Sequence, residues 1–168
     1  MPPPPDPSLK DEATGLSNRR HFDIVYNFLF NVADRGVPLT LVLFQLDDPE
    51  GAEGAGSATG NAAEALVDFA GAMATATRAT DLAARFSPDR LVALLVDCNQ
   101  QGGLIYADRV LDAAQGVQRS SGRTVSVGVA AYDKEVADPG ELISQAEAAL
   151  EGAIRAGGGR IMVPADLD

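Results

Sequence analysis

"DLAARFSPDRLVALL", residues Asp81 to Leu95, reads as two short strands folded back at Ser87-Pro88-Asp89-Arg90. Proline at the second turn position sets φ, and aspartate suits the third position of a type I turn. Upstream, Ala62, Leu66, Phe69 and Met73 recur at helical spacing and predict a helix ending near Thr77. Before it, "DDPEGAEGAGSATGN" (47–61) is rich in glycine, alanine, serine and acids and reads as a loop. "LTLVLFQL" (39–46) is a continuous apolar run of strand length, which predicts a central strand buried on both faces. Phe22, Val25, Leu29 and Val32 predict a helix over about 18–35, stopped by Gly36 and Pro38.

Downstream of the hairpin, Leu104, Ala107, Leu111 and Ala114 mark a third helix, and "TVSVGVAAY" (124–132) a strand. Asp138-Pro139 opens a fourth helix with proline in its first turn. Its apolar face is Leu142, Ala146, Ala149 and Ala153, and Gly157-Gly158-Gly159 stops it. "RIMV" (160–163) predicts a last edge strand. The order αβαββαβα, with that final strand, interleaves helices with one apolar sheet, so the class is α/β or α+β.

Bulk properties narrow the function. A chain of 168 residues, 46% apolar, is one domain by default. A net charge of -11 argues against broad binding to nucleic acid, which needs a basic face. A small anionic ligand stays open, because a few local arginines can hold one. One cysteine, Cys98, and one histidine, His21, exclude an internal disulfide and argue against a Cys/His zinc site. Cys98 follows an apolar run and reads as a half-buried structural thiol. No apolar run approaches the ~18 residues of a membrane span. "MPPPPDPS" lacks the basic and apolar regions of a signal peptide. Residues 1–10 read as a Pro-rich flexible tail or linker and 11–168 as the domain, with a cytoplasmic location expected.

Four segments in order resemble the GGDEF domain of diguanylate cyclases. "DEATGLSNRRHF" (11–22) is similar to the family's D-x-L-T-G-L-x-N-R-R-x-F, with Ala13 the departure. "DLAARFSPDRL" (81–91) is similar to D-x-x-A-R-Y/F-G-G-D/E-E-F, "TVSVGVA" (124–130) to T-x-S-x-G-V-A, and "LISQAEAALEGAIRAGGGR" (142–160) to A-D-x-A-L-Y-x-A-K-x-x-G-R-N. The resemblance implies a palm-like, mostly antiparallel five-stranded sheet flanked by helices. In active relatives, two such domains condense two GTP molecules into cyclic di-GMP.

The catalytic parts implied by the resemblance are altered here. Phosphoryl transfer of this kind depends on positioning and charge neutralisation, with divalent metal between acids and triphosphate. The signature falls on Ser87, Pro88, Asp89, Arg90 and Leu91. Pro88 has no N–H to offer a phosphate. Asp89 keeps an acid, and Arg90 reverses the charge of the family's glutamate. The first acid of the D-x-D motif falls on Gln45, a poor magnesium ligand, and the second on Asp47. The loop that follows matches the family almost nowhere. Counted forward, Glu53 takes the place of the guanine-reading asparagine; counted back, Ala63 takes that of the guanine-reading aspartate. The phosphate-holding lysine and arginine fall on Ile154 and Gly158. Each such charged contact contributes roughly 1.5–3 kcal/mol, so losing both costs about two to four decades in rate. Neither GTP cyclisation nor a bound magnesium ion is expected. "SPDR" then reads as a plain hairpin turn, or as an exposed tip where Arg90 meets a partner.

A different set is kept. Arg78-Ala79-Thr80-Asp81 reads R-x-x-D, and Asp81 lies six positions before Ser87. In the family, that offset marks the inhibitory site that binds cyclic di-GMP away from the catalytic centre. Arg109 resembles a second arginine of that site. Arginine presents a planar fork to phosphate or to the guanine Hoogsteen edge, and aspartate accepts from guanine N–H groups. R-x-x-D alone is equally the pattern of a surface ion pair at a helix end. Asp47 and Asp48 read as a strand-end turn, and Arg19 and Arg20 as capping and ion-pairing residues. His21 has no nucleophile in view. "GAGSATG" lacks the dinucleotide-binding spacing, and there is no P-loop.

Three functions are therefore in play. The first is an inactive GGDEF-like receptor for cyclic di-GMP using Arg78, Asp81 and Arg109, acting on an effector protein or a neighbouring domain. The second is an interaction or homodimerisation module indifferent to nucleotide. The third is a weak cyclase.

Overall fold

The computed structural model describes residues 6–49 and 57–167, with 57–61 as backbone. Five helices are described: α1 Arg19–Ala33, α2 Ser57–Ala76, α3 Gln100–Ala113, α4 Gln115–Ser121 and α5 Pro139–Arg155. They pack on strands β1 Leu39–Leu46, β2 Leu82–Ser87, β3 Arg90–Val96, β4 Val125–Ala131 and β5 Ile161–Met162. The sheet runs β2-β3-β1-β4-β5. β1 is central and antiparallel to both neighbours, while β5 joins the edge parallel to β4, so the sheet is mixed.

β1 alternates between two cores. Val42 and Phe44 enter one with Phe69 and Met73 of α2 and Val110 of α3. Leu41 and Leu43 enter the other with Phe22 and Tyr26 of α1 and Leu142 and Leu150 of α5. Each such fully buried side chain contributes about 1.5–3 kcal/mol. The Tyr26 hydroxyl donates to Pro139 O at 2.7 Å and ties α1 to α5; burial pushes its pKa up. At Gly128 the α5 backbone lies so close to β4 that a Cβ would strike Ala146 O and Leu150 N. Glycine there sets how tightly the last helix seats on the sheet.

Four details differ from the sequence reading. The buried face of α1 is Phe22, Tyr26, Phe30 and Ala33; Val25 and Leu29 only flank it. The aromatic stripe wins because it buries more area per residue. α2 begins at Ser57, inside the stretch read as loop; alanine-rich sequence favours helix despite its glycines. The third helical pattern breaks at Ala114, and the unforeseen α4 follows. Residues 6–10 dock on the domain rather than trailing from it. Asn18 N–H donates to Leu9 O, and Lys10 bridges Ser17.

The entry stretch protects the edge of β2. Ser17 N–H donates to Ala83 O, and Arg85 N–H donates to Ser17 O. An unpaired edge of β2 is thereby covered. Asp11 accepts from the Thr14 N–H and hydroxyl and pairs with Arg85 at 3.3 Å. Burial alone would raise the Asp11 pKa; the Thr14 hydrogen bonds and the Arg85 charge outweigh it and hold the carboxyl below its ordinary value. The Asn18 side chain caps α1 by accepting the His21 N–H. Arg19 pairs with Asp23, donates to Phe86 O and lies 3.9 Å above the Phe86 ring.

Candidate functional site

Arg78, Asp81 and Arg109 line one cavity of about 450 Å³. Two of them come from the turn between α2 and β2, where Asp81 N–H donates to Arg78 O at 3.0 Å. The third comes from α3, which crosses beside the end of α2. Arg109 Nε donates to Ala76 O at 3.1 Å, and its guanidinium lies 5.4 Å from the centre of the Tyr106 ring. Asp81 Oδ1 accepts the Val96 N–H at 3.0 Å. The cavity therefore joins two guanidinium groups and one carboxylate on separately anchored elements. Its volume suits a small molecule, for which about 300–1,000 Å³ is usual.

The remaining wall was not visible in the sequence. Val96, Asp97, Cys98 and Asn99 connect β3 to α3 and line the same cavity with Tyr106. The Tyr106 hydroxyl shares a 2.8 Å hydrogen bond with the Thr77 hydroxyl. Burial pushes its pKa up to about 12, so the phenol stays neutral. Cys98 is half-buried; burial, then the Asp81 carboxylate, pushes its thiol up. Asp97 takes φ 53°, the only non-glycine with positive φ among the described residues. The sole signal for this wall was the short step from β3 to α3, which brings a helix start against the R-x-x-D turn.

At the other end of β3 the hairpin tip is a plain turn. Ser87 pairs with Arg90, and Pro88 and Asp89 form the bend. The Ser87 hydroxyl donates to Asp89 Oδ1 at 2.9 Å, and Arg85 donates to Pro88 O at 2.8 Å. Arg90 is not an exposed tip residue, which corrects that reading. It faces Gln45 directly across β1 and β3, and its Nε donates to Gln45 Oε1 at 2.8 Å.

The model of the diguanylate cyclase GGDEF domain matches residues 8–160. The chain belongs to the GGDEF family. Solved structures agree on the fold. The GGDEF domain of DgcB from Caulobacter crescentus, determined with c-di-GMP, superposes with a TM-score of 0.79 at 18% identity, covering 98% of this chain and 97% of that one. A microbial GGDEF domain, described in a novel interaction mode with cyclic di-GMP, gives 0.74 at 24% identity, covering 92% and 97%. Diguanylate cyclase SiaD of Pseudomonas aeruginosa, solved with its activator SiaC, gives 0.77 at 26% identity, covering 92% of this chain and 61% of SiaD. No curated protein sequence matches.

Several positions singled out by the family resemblance make structural contacts. Asp47 Oδ2 accepts from the Thr124 and Ser126 hydroxyls and from Gly159 N–H, and its Oδ1 accepts from Ser126 as well. The acid thereby ties the end of β1 to β4 and to the glycine loop after α5. Gly158, at the family's arginine position, has φ +74°, and a Cβ there would sit 2.9 Å from the Asp47 carboxylate. Ile154, at the lysine position, packs half-buried against the core. Ala63 lines a hollow of about 270 Å³ with Gln45, Asp48, Arg85, Asp89 and Arg123. Glu53 lies outside the described residues. Buried Arg123, which the sequence did not flag, donates to Asp47 O and to the exposed Asp48 carboxylate, both at 3.2 Å. His21 meets a serine after all: its Nδ1 lies 2.9 Å from the Ser17 hydroxyl. Ser17 is buried and bridged to the edge of β2, so the pair reads as structural. Among the described residues no helix is long and apolar enough to cross a membrane.

Proposed function

We propose that this GGDEF domain is a receptor for cyclic di-GMP that does not synthesise it. The observation that carries the reading is the meeting of Arg78, Asp81 and Arg109 in one cavity, while Gln45 and Arg90 hold each other at the positions of the metal acids. The two guanidinium groups suit phosphate and the guanine Hoogsteen edge, and the carboxylate suits the guanine N–H donors. Relatives of the same fold were determined with this dinucleotide.

The proposed inactivity rests on chemistry. GTP cyclisation needs cations beside the triphosphate and backbone donors at the turn. Pro88 removes a donor, and Ile154 and Gly158 supply no charge. Titration calorimetry with cyclic di-GMP tests the receptor: a micromolar or tighter dissociation constant is expected, and no heat at high micromolar ligand rejects it. Incubation with GTP and magnesium, read by chromatography, tests inactivity; any cyclic product overturns it.

A second reading, an interaction module indifferent to nucleotide, draws on α1. Ile24 and Phe28, one turn apart, are 56% and 68% exposed. Partner capture unchanged by cyclic di-GMP favours that reading.

A further inference from the structure

We propose that Arg90 is a resident cation: its guanidinium stands where the family resemblance places a divalent metal, and this end of the sheet therefore needs no metal ion. The inference deepens the inactive half of the proposed function, which rests on the same Gln45–Arg90 pair, and uses none of the residues proposed to bind cyclic di-GMP.

Gln45 and Arg90 are directly opposed on β1 and β3. Directly opposed residues in an antiparallel pair have Cβ atoms about 4.5–5.5 Å apart, and two like charges there repel. A pair of acids at these positions needs a cation between them. Here one side is a neutral amide and the other carries its own positive charge. The two departures therefore form a matched pair. The guanidinium has only donors, so the amide must present its oxygen, as it does at 2.8 Å.

The rest of the fork turns to α5. NH1 lies 4.0 Å from Glu147 and NH2 3.9 Å from Glu151, one helical turn apart. These ion pairs alone are long and partly exposed, and contribute little. Together with the amide bond, they give one cation three acceptors from a strand and a helix. The Arg90 side chain is 19% exposed, so water screens it only in part.

Two further acids are already engaged. Asp47 accepts from Thr124, Ser126 and Gly159, and Asp89 from Ser87. A magnesium ion demands near-octahedral oxygen ligands and gives up its waters reluctantly. An amide facing a guanidinium, with acids bound by their own chain, does not fit it. Among the described residues no three His, Cys, Asp or Glu side chains are grouped to hold a metal.

Manganese is the probe, followed by its spin resonance and by thermal unfolding of the whole chain. The wild type is expected to bind none at millimolar concentration, with a melting midpoint unmoved by manganese or magnesium. Wild-type binding abolished by Asp47→Asn or Asp89→Asn overturns the proposal. Gln45→Glu places a carboxylate against the resident charge. It should raise the midpoint by about 2–4 °C and remain blind to manganese; if it binds manganese, the proposal falls. The double variant Gln45→Asp/Arg90→Glu restores two opposed acids. It should gain a manganese-dependent rise in midpoint, or fold only with manganese; a folded double variant indifferent to manganese overturns the proposal. Should it fail to fold in either condition, the wild type and Gln45→Glu decide.

Discussion

The Asp81 carboxylate accepts the backbone N–H of Val96 at 3.0 Å, so the residue that completes R-x-x-D also pins the end of β3. The two roles separate by substitution. Asp81→Asn keeps an oxygen for Val96 but loses the charge. Its melting midpoint should stay near wild type, while cyclic di-GMP affinity falls about tenfold or more, as expected for a hydrogen bond to a charged group. Asp81→Ala also strands the Val96 N–H, at a cost of about 1–3 kcal/mol, and should lower the midpoint as well. Calorimetry and thermal unfolding measure both. Undiminished ligand affinity in both variants counts against the site.

The two arginines should not respond alike. Arg109 already spends its Nε on Ala76 O, whereas the Arg78 side chain makes no hydrogen bond or ion pair among the described residues. Lysine cannot make a backbone bond and a fork together. Arg109→Lys should therefore lose both affinity and some stability, and Arg78→Lys mainly affinity. Arg78→Ala should weaken binding about tenfold or more. Equal affinities for wild type and Arg78→Ala, by calorimetry, dismiss the arginine fork.

Most of the fold was legible because its signals are local. The run at 39–46 announced a strand buried on both faces, and Ser87-Pro88-Asp89-Arg90 announced a two-residue bend. Asp138-Pro139 announced a helix start, and Asp138 does cap α5 by accepting the Glu141 N–H. What stayed hidden depends on distance in sequence. Nothing at Asp47 signals that Thr124, Ser126 and Gly159 close on it. The exposed-tip reading of Arg90 erred because only the bend itself, Pro88 and Asp89, faces solvent. Arg90 already belongs to β3, where it bonds Gln45 and lies within 4 Å of Glu147 and Glu151 on α5. Arg78 and Asp81 were singled out by their offset from the hairpin, whereas Tyr106 and Cys98, which line the same cavity, carry no comparable mark.

Gly158 is fixed by both its backbone and its neighbour. An L-residue at φ +74° is strained by roughly 1–2 kcal/mol, and a Cβ there would also press on Asp47. Gly158→Ala should lower the melting midpoint by about 2–8 °C in a chain of this size. Gly158→Arg, which restores the family's residue, should be worse and should not bring back cyclisation of GTP. An unchanged midpoint for Gly158→Ala contradicts the loop geometry.

Asp11 makes the stability sensitive to acid. Its folded pKa lies below the ordinary 3.8, so its contribution is present above that value. It is lost as pH falls through the lower folded value. Asp11→Asn should melt below wild type near neutral pH, and the gap should close as pH drops below 3.8. Thermal unfolding across that range measures it. A gap that is constant with pH assigns the loss to something other than this charge.

Cys98 offers a reporter inside the cavity. It is the one cysteine of the chain, and it shares the wall with Arg78, Asp81 and Arg109. Its thiol is held protonated by burial and by the nearby Asp81 carboxylate. Alkylation, which needs the thiolate, should be slow at neutral pH and should quicken only above the ordinary thiol value of 9.0. A ligand lodged between the arginines covers this sulfur. Cyclic di-GMP should then slow alkylation in proportion to occupancy, with a midpoint equal to the calorimetric dissociation constant. In Arg78→Ala the protection curve should move to higher ligand by the same factor as the affinity. Alkylation at one rate with and without saturating ligand, in a protein that calorimetry shows to be bound, places the dinucleotide elsewhere on the domain.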